Sequence, residues 1–433
     1  MNLYKIKEIV KGISNDNLDI PYNDIVIDSR IVKEGDIFIC IIGKNLDGHN
    51  FINEAIEKKA ACIIVSSDIE ISIPSIKVDD TLIALENISK YFINKYRPKV
   101  IGITGSNGKT TTKELICDIL STKYNVLKND GNKNNIYGLT TTILNLKPET
   151  EILVLEMGMN HEKEISRLSK ICNPDIGIIT NIGTSHIGLL NGKKNIFKAK
   201  LEIKDGMDNG ILIVNGDDKY LKKVKGSYKC GINHYNDLIA YNIYSNNDIL
   251  TFNIFLDKEY QIKFNNPIKY FISDILLAIK TCLMFNIDIS AIVEKISEYK
   301  MMDKRMNIIK LNNNVLINDC YNSSFESLLG GLQYLKRIYS SKLIILGDIL
   351  ELGKYSKKIH KKIKRYLNCI NNKIVLTVGK STRYINGVHF DNNDDLIKYI
   401  NNLEIENCYI YVKGSRKMNL ESVIEYFIEK RAI

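Results

Sequence analysis

The sequence predicts an α/β protein of three domains built on parallel sheets. Two observations carry this. Short apolar segments such as "KVIGITG" (99–105), "EILVLEMG" (151–158), "IGIITNIG" (176–183) and "GILIVNGDD" (210–218) end in Gly, Asn or Asp, and helical stretches separate them. Strands that feed ligand-binding loops read this way, and the alternation argues for a parallel sheet covered by helices. At 433 residues the chain is also too long for one compact core.

Residues 1–98 read as a small α/β unit. "GDIFICIIG" (35–43) is a buried strand, "FINEAIEKKA" (51–60) a helix and "ACIIVSS" (61–67) a second strand. A break at "KYRPKV" (95–100) opens the second unit, 99–305. The third, 306–433, carries the strands "NNVLINDC", "KLIILGD", "KIVLTVG" and "NCYIYVKG" with helices between them. No repeat of fixed period is visible, and the Asn-rich patch "KNDGNKNN" (128–135) reads as a loop.

Composition excludes several classes. Hydrophobic residues make up 45% and charged residues 25%, the balance of a soluble globular chain. No stretch approaches the roughly 20 apolar residues that span a bilayer. The start, "MNLYKIKEIVKGISNDN", lacks the apolar core of a signal peptide, so a cytoplasmic location is expected, with no membrane partner. The nine cysteines form no Cys-x-x-Cys pair, and Cys40, Cys62 and Cys117 sit in apolar segments, so neither structural zinc nor disulfides are expected. The formal charge of +10 is spread along the chain rather than gathered in a block, which argues against nucleic acid. A solvated basic surface, with some attraction for anionic small substrates, remains.

"GITGSNGKTTTK" (102–113) places a glycine loop between a strand and a helix. Gly105 and Gly108 let backbone amides approach phosphate, Lys109 would reach the β- and γ-phosphates, and the Thr110 hydroxyl would meet Mg²⁺. The spacing is tighter than the usual phosphate loop: five positions before Gly108 stands Ile103, not glycine. Glu156 closes the next strand on the ligand side of a parallel sheet. It is a candidate Mg²⁺ ligand, and equally a helix cap or a solvated strand end. His186 in "TNIGTSHIG" is one of six histidines and could be structural, and Lys200 in "FKAKLEI" is by pattern an ordinary helix lysine.

Taken together, these segments resemble the Mur ligases, the ATP-dependent amide-forming enzymes of peptidoglycan synthesis. That family uses a short loop of the "TGSNGKT" kind, which accounts for the spacing. "DSRIVKEGDIFICIIGKNLDGHNFI" (28–52) resembles the amino-terminal uridine-nucleotide domain. "GSNGKTTTKE", "LEMGMNHEKEI", "TNIGTSHIG" and "AKLE" resemble the central ATPase domain, with its P-loop type of parallel sheet. "NDCYNSSFES", "LGDILELGKYSKKIH" and "VKGSRKMNLE" resemble the Rossmann-like carboxyl-terminal ligase domain. Within the family, "DCYN" and "GDILELG" point to the branch that joins D-alanyl-D-alanine to UDP-N-acetylmuramoyl-tripeptide, and no Asp-Asn-Pro-Arg signature of the preceding branch is present.

The resemblance implies roles. Thr104, Gly105, Ser106, Asn107, Gly108, Lys109, Thr110 and Thr111 would hold ATP, joined from the third domain by Arg305, Asn318, Asp319, Tyr321 and Asn322. Lys109, His186 and Lys200 would be catalytic. Thr110, Glu156, His186 and Lys200 would serve two Mg²⁺ ions, Lys200 as a carbamate. Ser29, Arg30, Asp47, Gly48 and His49 match the UDP-sugar end. Lys413, Ser415 and Arg416 suit the incoming peptide or domain closure. A monomer is expected. The chain departs from the family where Asn-Ala-Asn-Pro gives way to "NSSF" (322–325), and in "NNIYGLTTTIL" (134–144), where Thr140 or its neighbours stand at a common proline. The rival readings are another amide ligase of this type, such as a folylpolyglutamate synthase, and a P-loop nucleotide switch. The first would lack the amino-terminal domain, and the second would leave His186, Lys200 and the third domain without a role.

Overall fold

The structure is a computed structural model that describes residues 2–246 and 248–431. Its three principal sheets follow one another along the chain. The first is a four-stranded parallel sheet, Ile25–Val26, Ile37–Ile39, Cys62–Val65 and Ser75–Lys77, paired in sequence order. The expected helix at 51–60 is the helix Ile52–Glu57, entered through a 3₁₀ turn at Gly48–Phe51. Two helices beyond those expected, Leu3–Val10 and Thr81–Tyr96, pack on each other. Asp80 caps the second through the Leu82 and Ile83 amides. Arg97, left-handed at φ 51°, ends it, and Pro98 cannot continue it. Glu86 on this helix pairs with Arg167 of the next domain at 2.5 Å, tying the first two units together.

The central sheet has seven parallel strands. Lys99–Thr104 lies inside it, between Ile152–Glu156 and Ile176–Ile179. The chain leaves Lys99–Thr104 for the edge strand Val126–Lys128, returns through Ile152–Glu156, and crosses to the other side at Ile176–Ile179. The carboxyl end of Lys99–Thr104 is therefore the switch point at which open α/β sheets bind ligands. Ile152–Glu156 and Ile176–Ile179 are buried along their whole length, as strands covered on both faces must be.

One element lies outside the predicted parallel pattern. Tyr241–Ser245, Leu250–Phe255 and Glu259–Phe264 form a separate antiparallel sheet of three strands. Alternate burial in Tyr241–Ser245, with Phe252, Ile254, Ile262 and Phe264 turned inward, is the signature of a sheet wet on one side.

The third sheet has six strands, parallel except for the hairpin Asn307–Leu311 and Asn314–Asn318. Its inward alternation divides two cores. Ile317, Ile344, Leu346 and Tyr411 join the large core shared with the central domain through the helix Phe325–Lys336. Leu316, Leu343, Ile345 and Val412 pack against the helices Asn393–Asn401 and Glu421–Arg431. The third domain thus brings one sheet face and one helix start against the central switch point.

Candidate active site

The loop 105–108 is built from constraints that exclude side chains. Gly105 has φ 151°, and a Cβ there would fall 1.8 Å from the Thr180 hydroxyl. Gly108 is left-handed at φ 80°, and its Cβ would fall 2.2 Å from Asp274 Oδ1. Only glycine satisfies both positions, and the helix Lys109–Leu120 starts directly after. Its first amides point into a cavity of about 930 Å³ bounded by the central and third domains.

Lys109 Nζ folds back to the Gly105 carbonyl at 2.9 Å. Burial lowers its ammonium below the ordinary range, and repulsion from Arg305 adds to this against the pull of Glu156. The Thr110 hydroxyl donates to Glu156 Oε2 at 2.7 Å, and Asn134 Nδ2 donates to Glu156 Oε1 at 2.8 Å. Lys200 lies behind them on the helix Lys193–Leu201, only 2% exposed. Burial first, and the charge of Lys109 second, push its pKa well down, so the amine is poised to lose its proton. His186 is left-handed at φ 61° and directs Nδ1 to Glu351 Oε2, 2.8 Å away on the third domain. That close contact with His186 holds the Glu351 carboxyl below the usual range, against burial.

The donor chemistry fits a hard divalent cation at Thr110 and Glu156: two oxygens, both nearly buried, open to the side where phosphates would complete the shell. The other predicted ligands, His186 and Lys200, offer a nitrogen and an amine, a poor set for a hard cation. It suits Mg²⁺ only with Lys200 converted to an oxygen donor. Among the described residues no group of three or more His, Cys, Asp or Glu side chains stands together.

From the third domain, Asp319 is gripped by Lys413 Nζ at 2.6 Å and by the Tyr411 hydroxyl at 3.0 Å. Burial still pushes its carboxyl up. The Arg305 guanidinium lies over the Tyr321 ring, 4.1 Å from its centroid. Lys109, Thr110, Glu156, His186, Arg305, Asp319, Tyr321 and Asn322 all face the one cavity, together with Ser106, Asn107, Gly108 and Thr111. Thr104, Lys200 and Asn318 are buried and absent from its lining. Ser29, Arg30, Asp47, Gly48 and His49 lie apart, on the first domain. There Ser29 donates to Glu54 at 2.6 Å and Arg30 pairs with Asp28 at 2.6 Å. His49 is held at both nitrogens, by Asp47 at 2.6 Å and by the Ser66 amide at 3.0 Å.

Several residues of the site carry no signal in the sequence reading. Asn129 and Asn134 come from the Asn-rich patch taken only as a loop. Ser324 stands in the altered "NSSF" segment: it caps the helix Phe325–Lys336 in a capping box with Ser327, and its hydroxyl reaches Asn107 at 2.7 Å. Serines therefore shape a turn that a proline would otherwise set.

Family models account for most of the chain: the Mur ligase family catalytic domain at 21–108, the Mur ligase middle domain at 103–282, and the Mur ligase glutamate ligase domain at 304–416. The UDP-N-acetylmuramoyl-tripeptide–D-alanyl-D-alanine ligase of Bacillus subtilis is 33% identical, across 98% of this chain and 97% of its own length. The chain belongs to the Mur ligase family. The ligase of the same description from Buchnera aphidicola is 34% identical over 99% of this chain and 98% of its own. Among solved structures, MurF from Acinetobacter baumannii superposes with a TM-score of 0.92 at 26% identity, covering 98% of each chain. MurF ligase from Thermotoga maritima, solved with ADP, gives 0.87 at 26% identity, covering 95% of this chain and 98% of that one. The three-domain α/β architecture is that of these Mur ligases, and this chain is an enzyme of the same ligase class.

Proposed function

We propose that this ligase joins D-alanyl-D-alanine to UDP-N-acetylmuramoyl-tripeptide at the expense of ATP, as a cytoplasmic monomer in peptidoglycan precursor assembly. The observation that carries the reading is the convergence on one cavity of a phosphate loop, the Thr110–Glu156 oxygen pair and a docked third domain, in a chain alike over its whole length to ligases of that description. Among the described residues no helix is long and apolar enough to cross a membrane.

The chemistry is amide synthesis through an acyl phosphate. The tripeptide carboxylate attacks the γ-phosphorus of ATP, and ADP leaves. The dipeptide amine then attacks the acyl carbon, its proton is lost, and phosphate departs. Carboxylate and triphosphate repel each other, so positive charge must gather where they meet. Lys109 supplies it from the loop and Arg305 from the junction with the third domain. Mg²⁺ held by Thr110 and Glu156 would neutralise phosphate charge. Lys200 has the makings of a carbamate: the neutral amine forms an N–C bond to CO₂ and sheds a proton. The product is an anion next to Lys109, so the repulsion that depresses the amine becomes attraction. Together with His186 it would complete the second Mg²⁺ site. Closure of the third domain excludes water, which would otherwise hydrolyse the acyl phosphate. Ser29, Arg30, Asp47, Gly48 and His49 would hold the UDP-sugar on the first domain.

The test is ADP release by the purified full chain with ATP and Mg²⁺, with each acceptor pair in turn. Release should require both the UDP-linked tripeptide and the dipeptide, and the product mass should equal their sum less one water. Absence of product with tripeptides ending in either lysine or diaminopimelate overturns the assignment.

A further inference from the structure

The net charge of the chain is concentrated in one stretch. Lysines occur throughout, but residues 336–383 hold thirteen Lys and Arg against two carboxylates, Asp348 and Glu351. That stretch carries +11 of a total of +10, so the other 385 residues together carry −1. A lysine-rich composition does not by itself produce this, because the chain's 50 acidic residues, evenly spaced, would put about five or six here. Both carboxylates present are engaged. Asp348 is buried and accepts from the Ser381 and Thr382 amides, and Glu351 meets His186.

At the centre of the stretch is the helix Ser356–Leu367, with six Lys and Arg and no acidic residue. Ile359, His360, Ile363 and Leu367 form its buried side. The helical period sets Lys358, Lys361, Lys362 and Arg365 on the opposite side, and all four are exposed. Lys357 and Lys362 rest against rings, 5.5 Å from the Tyr384 centroid and 4.7 Å from that of Phe325. Among the described residues none of the six has a carboxylate at ion-pair distance. Like charges three and four positions apart repel, and the buried side holds the helix together against them.

We propose that this basic helix face docks the enzyme reversibly on a membrane surface rich in anionic lipid headgroups. The proposal goes beyond the ligase reading and does not depend on it. Clusters of about four to eight basic residues on an amphipathic helix suffice for such contact. Five of the six here are lysines, hydrated point charges on flexible stems, which suit headgroups that move and have no fixed shape. Nucleic acid is the competing polyanion. It is bound in grooves and by rings on which bases stack, whereas the ridge Lys358, Lys361, Lys362, Arg365 is convex and bears no aromatic. The apolar side of the helix is packed inside the protein, so attachment is by charge alone and salt releases it.

The experiment sediments the full chain with vesicles of phosphatidylglycerol and phosphatidylcholine in equal parts, and with phosphatidylcholine alone. Wild type should bind the first and not the second at about 0.05 M salt, and should be released at about 0.5 M. Each basic residue near an anionic surface is worth about fivefold in partitioning, so Lys358→Glu combined with Lys361→Glu and Arg365→Glu should lower it a hundredfold or more. The same three positions changed to Gln should fall between, and they carry the test if the Glu variant melts lower. Either variant, folded, should release ADP with dissolved substrates within about twofold of wild type. The proposal is overturned if wild type ignores the anionic vesicles or binds both kinds alike, or if the folded triple variants sediment as wild type does. It is also overturned if poly(U) binds more tightly than the vesicles and the same substitutions abolish that, which would give the face to nucleic acid. Failure of wild type to ligate touches only the ligase reading.

Discussion

Asn129 holds Glu156 from both sides: its Oδ1 accepts the Glu156 amide at 2.8 Å, and its Nδ2 donates to the Glu156 carbonyl at 3.0 Å. Lys113, itself fully buried, bonds the Asn129 carbonyl in turn. The carboxylate proposed for Mg²⁺ is thus fixed through its own backbone, by contacts that would not touch the ion. Asn129→Ala strands two buried backbone groups at about 1–3 kcal/mol each. The Mg²⁺ concentration giving half-maximal ADP release should rise about tenfold, as for the loss of a residue that orients a ligand. A Mg²⁺ titration reads this directly, and an unchanged midpoint in a folded variant would count against it.

Lys200→Ala should lower turnover by about a hundredfold or more, the scale of removing a charge aimed at the reacting groups. The substitution leaves a buried space beside Lys109, where a small carboxylate can stand in for the carbamate. Added acetate or propionate should restore part of the rate in Lys200→Ala and none in Lys109→Ala. No rescue in a folded Lys200→Ala chain would remove the case for the carbamate.

Asp274 gives a pH prediction of definite sign. It lies fully buried against Gly108, and burial pushes its carboxyl up to about 7 from an ordinary 3.8, against the Thr112 hydroxyl and the Arg305 charge. Between those two values the folded chain binds more protons than the unfolded chain. Stability therefore falls as the pH rises from about 4 to about 7 and levels off above, by about 4 kcal/mol at most. Asp274→Asn removes the titrating group, so its urea midpoint should lose this slope and exceed that of wild type at pH 8. Parallel curves for the two proteins across this range would refute it.

How much of this was legible in the sequence follows from the physics of each signal. Strands such as Ile152–Glu156 and Ile176–Ile179 announce themselves because burial on both faces demands an unbroken apolar run. The phosphate loop does so because φ values near 80° and 151° admit only glycine. Lys200 was invisible by pattern, since nothing local distinguishes a lysine turned inward from one in water. Ser324, Glu326 and Glu351 act across the domain boundary, on residues more than 130 positions away in every case. No local period records such a meeting. The sheet at 241–264 was legible in principle from its two-residue alternation, but it was merged into the parallel pattern around it.

Glu326 is one of the contacts that hold the third domain down. Its Oε2 accepts from the Thr184 amide at 2.8 Å and from the Thr184 hydroxyl at 2.7 Å, and its Oε1 meets Lys193 Nζ at 2.8 Å. The ion pair is partly exposed and contributes about 0.5 kcal/mol, so most of the hold comes from the two Thr184 hydrogen bonds. Glu326→Ala loses all three, whereas Lys193→Ala loses only the ion pair. The closed population should fall in Glu326→Ala, seen as a larger radius of gyration in solution scattering without nucleotide. Turnover should drop about tenfold, because the third domain must be docked for its arginines to act. Lys193→Ala should change either quantity by less than about twofold. If both variants fall equally, the ion pair carries the contact and the weight given to Thr184 is wrong.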